Sequence, residues 1–345
     1  MPERSVSVVV PCRNEEAHIG RLLAAIGSQA LRPDDIVIVD GGSTDNTLGV
    51  ISEASGQLAP IVVRTIVAPD DRLPTAINRA VREARGDVIV RLDGHSSPPP
   101  DYIARAVAHL ADPQVGVVGG IWKIVPGDAT PMGEGIARAV SHPLGAGDAA
   151  YRIRSARTVT DMDTVPFGCF TRATWQLVGG LNESLLGNED YEFNYRVRRA
   201  GLAVRLDPMM HSTYVARVSL GALALQYFRY GWCKMQMLRQ HPASLRWRQT
   251  LPVAFVAGLL LLAVTALFVR PAATLLALVL LAYIGTLATA AFLICAREGG
   301  WHRFGAIVTA FATIQLCWGA GALTFLATSG HWPDRRFLFG QRAAL

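Results

Sequence analysis

Acidic residues nearly vanish from the last third of this 345-residue chain: from Ser219 onward there are 11 Lys and Arg against only Glu298 and Asp334. The whole chain carries +6, so residues 1–218 are slightly acidic, and the pI of about 9.3 belongs to the C-terminal third. That distribution excludes a basic globular domain of the kind that binds nucleic acid and points to anionic lipid as a partner. Cysteine is equally scarce. Cys12, Cys169, Cys233, Cys295 and Cys317 stand singly, with no CxxC pair and no His cluster at zinc spacing, which excludes a disulfide scaffold or zinc ribbon and implies a reducing compartment. No Gly-rich phosphate loop followed by Arg and Lys lies near the N-terminus, which argues against a nucleotidyltransferase. The chain opens on a strand-like SVSVVVP in place of a charged leader and apolar h-region. No cleaved signal peptide is therefore expected, and residues 1–218 are expected in the cytoplasm.

What is present is apolar residue in two distributions. Composition is 51% hydrophobic, enough for one soluble core plus membrane spans. Residues 5 to about 130 alternate β-branched runs (6–10, 35–39, 61–67, 87–92) with helical patterns (15–29, 43–54, 73–85), which predicts parallel βαβ units covered on both faces. In open α/β sheets ligands bind at the carboxyl ends of the strands, where Asn14, Asp40 and Asp93 fall. Residues 130–157 carry no assignable periodicity. A helix over 172–178 and a stronger one from about Asn188 to Ala200, closed by Gly201, follow.

Residues 219–241 form an amphipathic stretch with Leu220, Leu223, Tyr227, Phe228, Met235 and Leu238 among Arg229, Lys234 and Arg239, read as an interfacial helix or, alternatively, the basic face of a soluble one. Three charge-free segments follow, 251–269, 272–294 and 304–328, each long enough to cross a bilayer of about 30 Å. The expected domains are 1–218 catalytic, 219–248 interfacial and 249–345 in the membrane. Three crossings from a cytoplasmic N-terminus would put Arg335, Arg336 and Arg342 outside, against the positive-inside tendency, so a re-entrant third segment (QLCWGAGALTF) stands as an alternative.

Three motifs carry chemistry. In VVVPCRNEE paired with IVIVDGGSTDNT, Asp40 at a strand end can accept hydrogen bonds from a nucleobase imide or ribose hydroxyls, with Asn14 facing the same nucleotide. The alternative, Asp40 as a helix cap, competes with Ser43 for that role. In VIVRLDGHS, residues i and i+2 of an extended segment point the same way, so Asp93 and His95 can share one cation beside a diphosphate; mixed carboxylate and imidazole ligation favours Mn²⁺ over Mg²⁺. In LGNEDYEFNYRVRRAG, Asp190 sits at a helix start whose dipole favours its ionised form, suited to take a proton from an acceptor hydroxyl; acidic capping is the plainer reading of the same residue.

These motifs in this order resemble glycosyltransferase family 2, which has the GT-A fold, a Rossmann-like and mostly parallel sheet with helices on both faces. The resemblance covers roughly residues 5–240. VIVRLDGHS and VTDMDTVPFGCFTRATWQLVGGLNESLLGNEDYEFNYRVRRAG are similar to the bacterial exopolysaccharide branch typified by succinoglycan glucosyltransferases, which also carry C-terminal spans. The resemblance implies inverting transfer from a nucleotide sugar, usually a UDP-sugar, with a divalent cation (Mn²⁺ or Mg²⁺) at the DxD-type motif and the Asp of the ED pair as base.

Carried over by position, Pro11, Asn14, Glu15, Asp40 and Asp93 hold the nucleotide sugar, Asp93 and His95 hold the metal, and Asp190 is the base with Glu189 beside it. His211 resembles a family histidine near the diphosphate and joins both the donor and the metal sets, a buried structural histidine being the alternative. Arg172, Asp87 and Asn78 match positions whose roles are partly architectural. His95 replaces the usual second Asp of DxD, and the QxxRW signature of processive synthases survives only as Gln226, Arg229 and Trp232.

The expected function is addition of one sugar to a polyprenyl-linked saccharide at the bacterial cytoplasmic membrane by a multi-pass protein with its catalytic domain in the cytoplasm. Alternatives are transfer to polyprenyl phosphate, a small processive synthase, and a non-catalytic sugar-nucleotide-binding protein.

Overall fold

A computed structural model of the chain describes residues 4–153 and 158–331. Along the chain these form β1 (Val6–Cys12), α1 (Ile19–Gly27), β2 (Asp35–Asp40), α2 (Thr47–Ser55), β3 (Val62–Val67), α3 (Leu73–Glu83), β4 (Val88–Arg91), α4 (Tyr102–Leu110), β5 (Val115–Val125), α5 (Pro131–Val140) and α6 (Pro143–Ala146). After these come β6 (Thr160–Asp161), β7 (Cys169–Thr171), α7 (Arg172–Val178), α8 (Glu189–Arg199), β8 (Ala203–Val215), α9 (Leu220–Gln240), α10 (Trp247–Ala266), α11 (Arg270–Glu298) and α12 (Phe304–Ala327). They divide into two compact units, one of residues 4–123 and 158–213, the other of residues 124–153 and 214–331.

The first unit holds an α/β sheet in the order β3-β2-β1-β4-β7-β5-β8-β6. β1, β2, β3 and β4 pair in parallel, as the alternating pattern predicts; β7 then pairs antiparallel with both β4 and β5, so the sheet is mixed. β1 and β2 read as continuous apolar runs because both faces are covered: every residue of VSVVVPC and DIVIVD is buried. α1 covers one face with Ile19, Leu22, Leu23 and Ile26, one helical stripe. The core gathers Val8, Val10, Ile36, Ile38, Val88 and Val90 from the strands with that stripe and with Ile103 and Leu110 of α4.

The family-matched polar residues here are architectural. Asn78, buried on α3, donates to the Leu181 carbonyl and the Glu183 carboxylate, both at 2.8 Å, and accepts from the Leu181 N–H at 2.8 Å and the Trp175 indole at 3.2 Å. Arg172 donates to the carbonyls of Val81 and Gly86 at 3.0 and 3.1 Å, closing the end of α3, and Asp87 accepts from the Ser5 hydroxyl at 2.9 Å. Asn78→Ala is expected to cost about 2 kcal/mol, because it strands the backbone of Leu181 and the Trp175 N–H without a partner. Thermal unfolding should show a fall of several degrees with donor binding intact below the transition.

In the second unit α5 begins at Pro131, with the Thr130 hydroxyl accepting from the Gly133 N–H at 3.1 Å. This helix occupies the stretch left without assignment in the sequence. α9 matches the amphipathic segment, and its Trp232 stacks edge-on against Phe325 of α12 at 5.1 Å between ring centroids. α10, α11 and the 301–327 stretch that includes α12 are each long and apolar enough to cross a membrane. Arg335, Arg336 and Arg342, on which the topology argument turned, lie outside the described residues.

Candidate active site

The carboxyl ends of β1, β2 and β4 bring most of the expected residues into three hydrogen-bonded groups, Asn14 with Ser43 and Asp40, Glu15 with His95, and Asp93 with Arg91 and Asp190. Pro11 is buried within β1, and β1 and β2 run in register so that Cys12 lies beside Asp40. Past β1 the backbone turns at Asn14, a non-glycine residue at φ 55°, a conformation Asn tolerates better than most. The Asn14 N–H donates to the Ser43 hydroxyl at 2.9 Å, and its side-chain oxygen accepts from the Thr44 N–H at 2.8 Å. The two loops after β1 and β2 are thereby tied together.

Asp40 is fully buried and accepts from the N–H groups of Gly42 and Ser43 at 3.1 and 2.9 Å and from the Ser43 hydroxyl. Ser43 does not cap α2, as its place in the sequence suggests; α2 starts at Thr47, whose N–H donates to Asp45 at 3.0 Å, while Ser43 is drawn inward by Asp40. Burial, with the Asp40 carboxylate alongside, pushes the Cys12 thiol well up, so Cys12 is no nucleophile at neutral pH.

Glu15 and His95 meet across the loops after β1 and β4, Glu15 Oε1 lying 2.8 Å from His95 Nδ1. Gly94 makes that approach feasible: a Cβ there would stand 2.8 Å from Glu15 Cγ and 3.2 Å from Cys12 Cβ. Asp93 follows β4, its N–H donating to the Ser96 hydroxyl at 3.0 Å.

The residue that joins the two acidic motifs is Arg91, which sequence reasoning passed over. Its side chain is 3% exposed; Nε donates to Asp93 at 3.2 Å, the guanidinium pairs with Asp190, and Glu189 lies 3.9 Å away. Phe167 covers it, with the guanidinium carbon 5.5 Å from the ring centroid. A charge inside an otherwise apolar four-residue buried strand, VIVR, was the signal available. Burial disfavours the charged guanidinium, but Asp190, Asp93 and Glu189 outweigh it and push its pKa further up.

Asp190 and Glu189 open α8 after Asn188, another left-handed residue at φ 63°. Asp190 was expected to be held readily ionised by the helix start. The structure reverses that direction: burial, aided by the Asp93 charge and opposed by Arg91, raises its carboxyl above the ordinary value. Burial and the adjacent Asp190 likewise raise Glu189.

His211 stands apart from these groups. It lies on β8, Nε2 at 2.7 Å from the Lys123 ammonium and Nδ1 at 3.1 Å from the Met209 carbonyl. Burial and Lys123 lower its pKa, so the ring is neutral, with the proton on Nδ1.

Among the described residues no group of three or more His, Cys, Asp and Glu is placed to enclose a metal ion. The donor set at Asp93 and His95 nevertheless suits a divalent cation that keeps most of its coordination on water and phosphate oxygens, the usual habit beside a nucleotide.

A mixed sheet whose parallel half ends in the tied loops of Asn14 and Asp40, with acidic residues after β4 and at the start of α8, defines a glycosyltransferase of the GT-A fold. The family model described as Glycosyl transferase family 2 matches residues 7–174. A relative from Rhizobium meliloti, the succinoglycan biosynthesis protein ExoA, is 31% identical over 258 residues, covering 72% of this chain and 74% of that one. A Methanococcus voltae relative, a dolichyl N-acetyl-α-D-glucosaminyl phosphate 3-β-D-2,3-diacetamido-2,3-dideoxy-β-D-glucuronosyltransferase, is 25% identical over 273 residues, 76% of this chain and 83% of the other. The fold is shared with a mannosyltransferase from Pyrobaculum calidifontis, solved with GDP-mannose and Mn²⁺: TM-score 0.61, 20% identity, 93% of this chain and 87% of that one. The chain belongs to glycosyltransferase family 2.

Proposed function

We propose that this glycosyltransferase adds one sugar, with inversion, from a UDP-sugar to a lipid-linked saccharide in bacterial cell-surface glycan synthesis. In this reading residues 1–218 act as the catalytic domain in the cytoplasm, 219–248 lie at the inner-membrane interface, and 249–345 anchor the protein in that membrane. The observation that carries it is the sharing of Arg91 by Asp93, after β4, and Asp190, at the start of α8: it sets the diphosphate end and the base end of one displacement side by side. The R. meliloti relative's role in succinoglycan biosynthesis and the M. voltae relative's dolichyl-linked acceptor support the acceptor class.

Each residue has a distinct task. The loops zipped by Asn14, Ser43 and Asp40, with Pro11 and Glu15 beneath them, form the floor for the nucleotide. Asp93 and His95 would hold a divalent cation, Mn²⁺ or Mg²⁺, which supplies neutralisation of the charge growing on the departing diphosphate. Glu15 orients the His95 ring from Nδ1. At His211 the ring is neutral, and the positive charge there is that of Lys123 on Nε2. Asp190 accepts the proton of the acceptor hydroxyl as that oxygen attacks the anomeric carbon from the face opposite the diphosphate. Addition of a single sugar is favoured over polymerisation because Trp232 of the altered signature is buried against Phe325 and unavailable as a platform for a sugar chain.

Screening nucleotide sugars for thermal shift with Mn²⁺ tests the donor: a UDP-sugar should raise the unfolding temperature, and Asp93→Ala should lose the Mn²⁺-dependent part of that shift. Full donor binding and turnover by Asp93→Ala in chelator would remove the metal assignment. Incubating the detergent-extracted protein with that donor and defined lipids should yield one added residue on a lipid-linked saccharide. A product ladder, or transfer to polyprenyl phosphate alone, would replace this acceptor by one of the other two.

A further inference from the structure

We infer that the second unit meets the bilayer as a two-helix hairpin on an in-plane platform: α10 and α11 cross the membrane, whereas α12, although apolar enough to cross, lies along the interface beside α9. This goes beyond the catalytic reading and concerns a different part of the chain.

The three apolar helices have different surfaces. α10 buries no residue at all, and α11 buries only Leu287, Ala291 and Cys295, a single stripe in its C-terminal half. Leu260, Leu261, Val264, Leu278, Leu281 and Ile284 on these two helices stand more than half exposed, an apolar surface suited to lipid. α12 is the reverse. It buries nine residues, and Leu326 is its one exposed large hydrophobic. More of its apolar surface is covered by protein than that of α10 or α11: 39% of its apolar stretch is buried, against 0% and 22%.

What covers α12 is unsuited to a membrane interior. Its main partner is α9, approached so closely that a Cβ on Gly231 would stand 2.0 Å from the Trp318 carbonyl oxygen and one on Gly321 2.0 Å from that of Phe228. Contact continues to the end of α9, where the Arg239 guanidinium lies 4.8 Å over Phe325. α9 also carries Arg229 and Lys234. At the other end of α12 a Cβ on Gly135 of α5 would stand 2.5 Å from Ala306, and α5 brings Glu134 and Arg138. Glu134 accepts from Arg303 at 3.2 Å, and Arg138 pairs with Glu298 at 3.0 Å. Placing α12 across the bilayer with α9 packed against it would carry Arg229 and Lys234 of α9 into hydrocarbon, at about 3 kcal/mol each.

The register against the hairpin agrees. α10 is 20 residues long, about 30 Å, which matches the hydrocarbon layer, while α11 has 29 residues and overruns it by about 13 Å. The connection between them, Leu267 to Val269, marks the closed end. α12 touches α10 where Gly319 meets the Pro252 backbone and the Val256 side chain, about 15 Å or more from that closed end. The buried stripe of α11 lies farther from it still. Both contacts are toward the open end, on the side that carries α5 and α9, which fits a helix immersed by about 5–10 Å.

Two crossings return the chain to the side it left. With two crossings instead of three, the conflict with the positive-inside tendency noted in the sequence does not arise. The partner of this face is the anionic leaflet surface.

The test uses the full chain with single cysteines added at exposed positions, labelled by a membrane-impermeant maleimide in right-side-out and inside-out vesicles and read as the gain over the unsubstituted protein. Thr309→Cys and Leu326→Cys should both label only in inside-out vesicles and Phe268→Cys only in right-side-out ones. Labelling of 309 and 326 from opposite sides overturns the proposal, as does labelling of 268 from the same side as 309. Reporters fused to the C-terminus read the same question independently. A fluorescent GFP fusion with an inactive alkaline phosphatase fusion supports two crossings, and the reverse pattern shows that α12 crosses. Neither readout depends on which sugar or acceptor the enzyme uses.

Discussion

Asp190→Asn is expected to lower kcat by about 10²–10⁴-fold, the usual contribution of a positioned general base. Donor affinity should change by no more than a few-fold, because in the proposed displacement Asp190 faces the acceptor side and Asp93 the diphosphate side. The substitution keeps the size of the side chain and the first turn of α8, so the variant should fold. The pH profile carries independent information. Asp190 works as a carboxylate, and burial together with Asp93 raises its pKa while Arg91 opposes the rise. The acid limb of kcat/KM should therefore lie above that of an ordinary aspartate, with activity increasing as pH rises through it and levelling off. Near-normal turnover in Asp190→Asn, measured with saturating donor, would remove Asp190 from the mechanism.

The second large effect is expected at Arg91. Its guanidinium is the counter-charge for Asp93, Glu189 and Asp190, and Arg91→Met leaves those carboxylates facing one another without it. Breaking a buried ion pair from one side costs about 3 kcal/mol or more. Unlike an ordinary core substitution, this one should also move the pH profile: without Arg91 the Asp190 carboxyl rises further, so the acid limb shifts to higher pH and the loss at neutral pH is partly recovered in alkaline buffer. Arg91→Lys keeps the charge but not the planar fork, and should restore most of the pH profile and only part of the stability. A Met variant with an unmoved acid limb would show that Arg91 is packing alone.

The parallel half of the sheet was legible because β1, β2 and β4 are buried on both faces and bounded by polar turns, a pattern with few other solutions. α4 and β5 were not, for opposite reasons: YIARAVAHL presents a short face diluted by alanine, and VGVVGGIWKIV has three glycines that depress strand propensity. α1 was read as starting at Glu15 but begins at Ile19, because Glu15 is held in the loop by Thr47 and His95. Asn14, Asp40, Asp93 and Asp190 could be singled out from strand ends and a helix start. Arg91 offered only its charge within the apolar run VIVR, and the reason for that charge lies in Glu189 and Asp190, nearly a hundred positions away. The contrast between α12 and the two helices before it was equally hidden: hydropathy counts apolar residues, not which neighbour removes them from water.

Two helices cannot enclose a conduit. If α10 and α11 are the whole of what passes through the bilayer, an oligosaccharide built on this protein has no route outward through it. Its product stays in the leaflet where it was made, and carrying that lipid to the opposite face falls to a separate translocating protein.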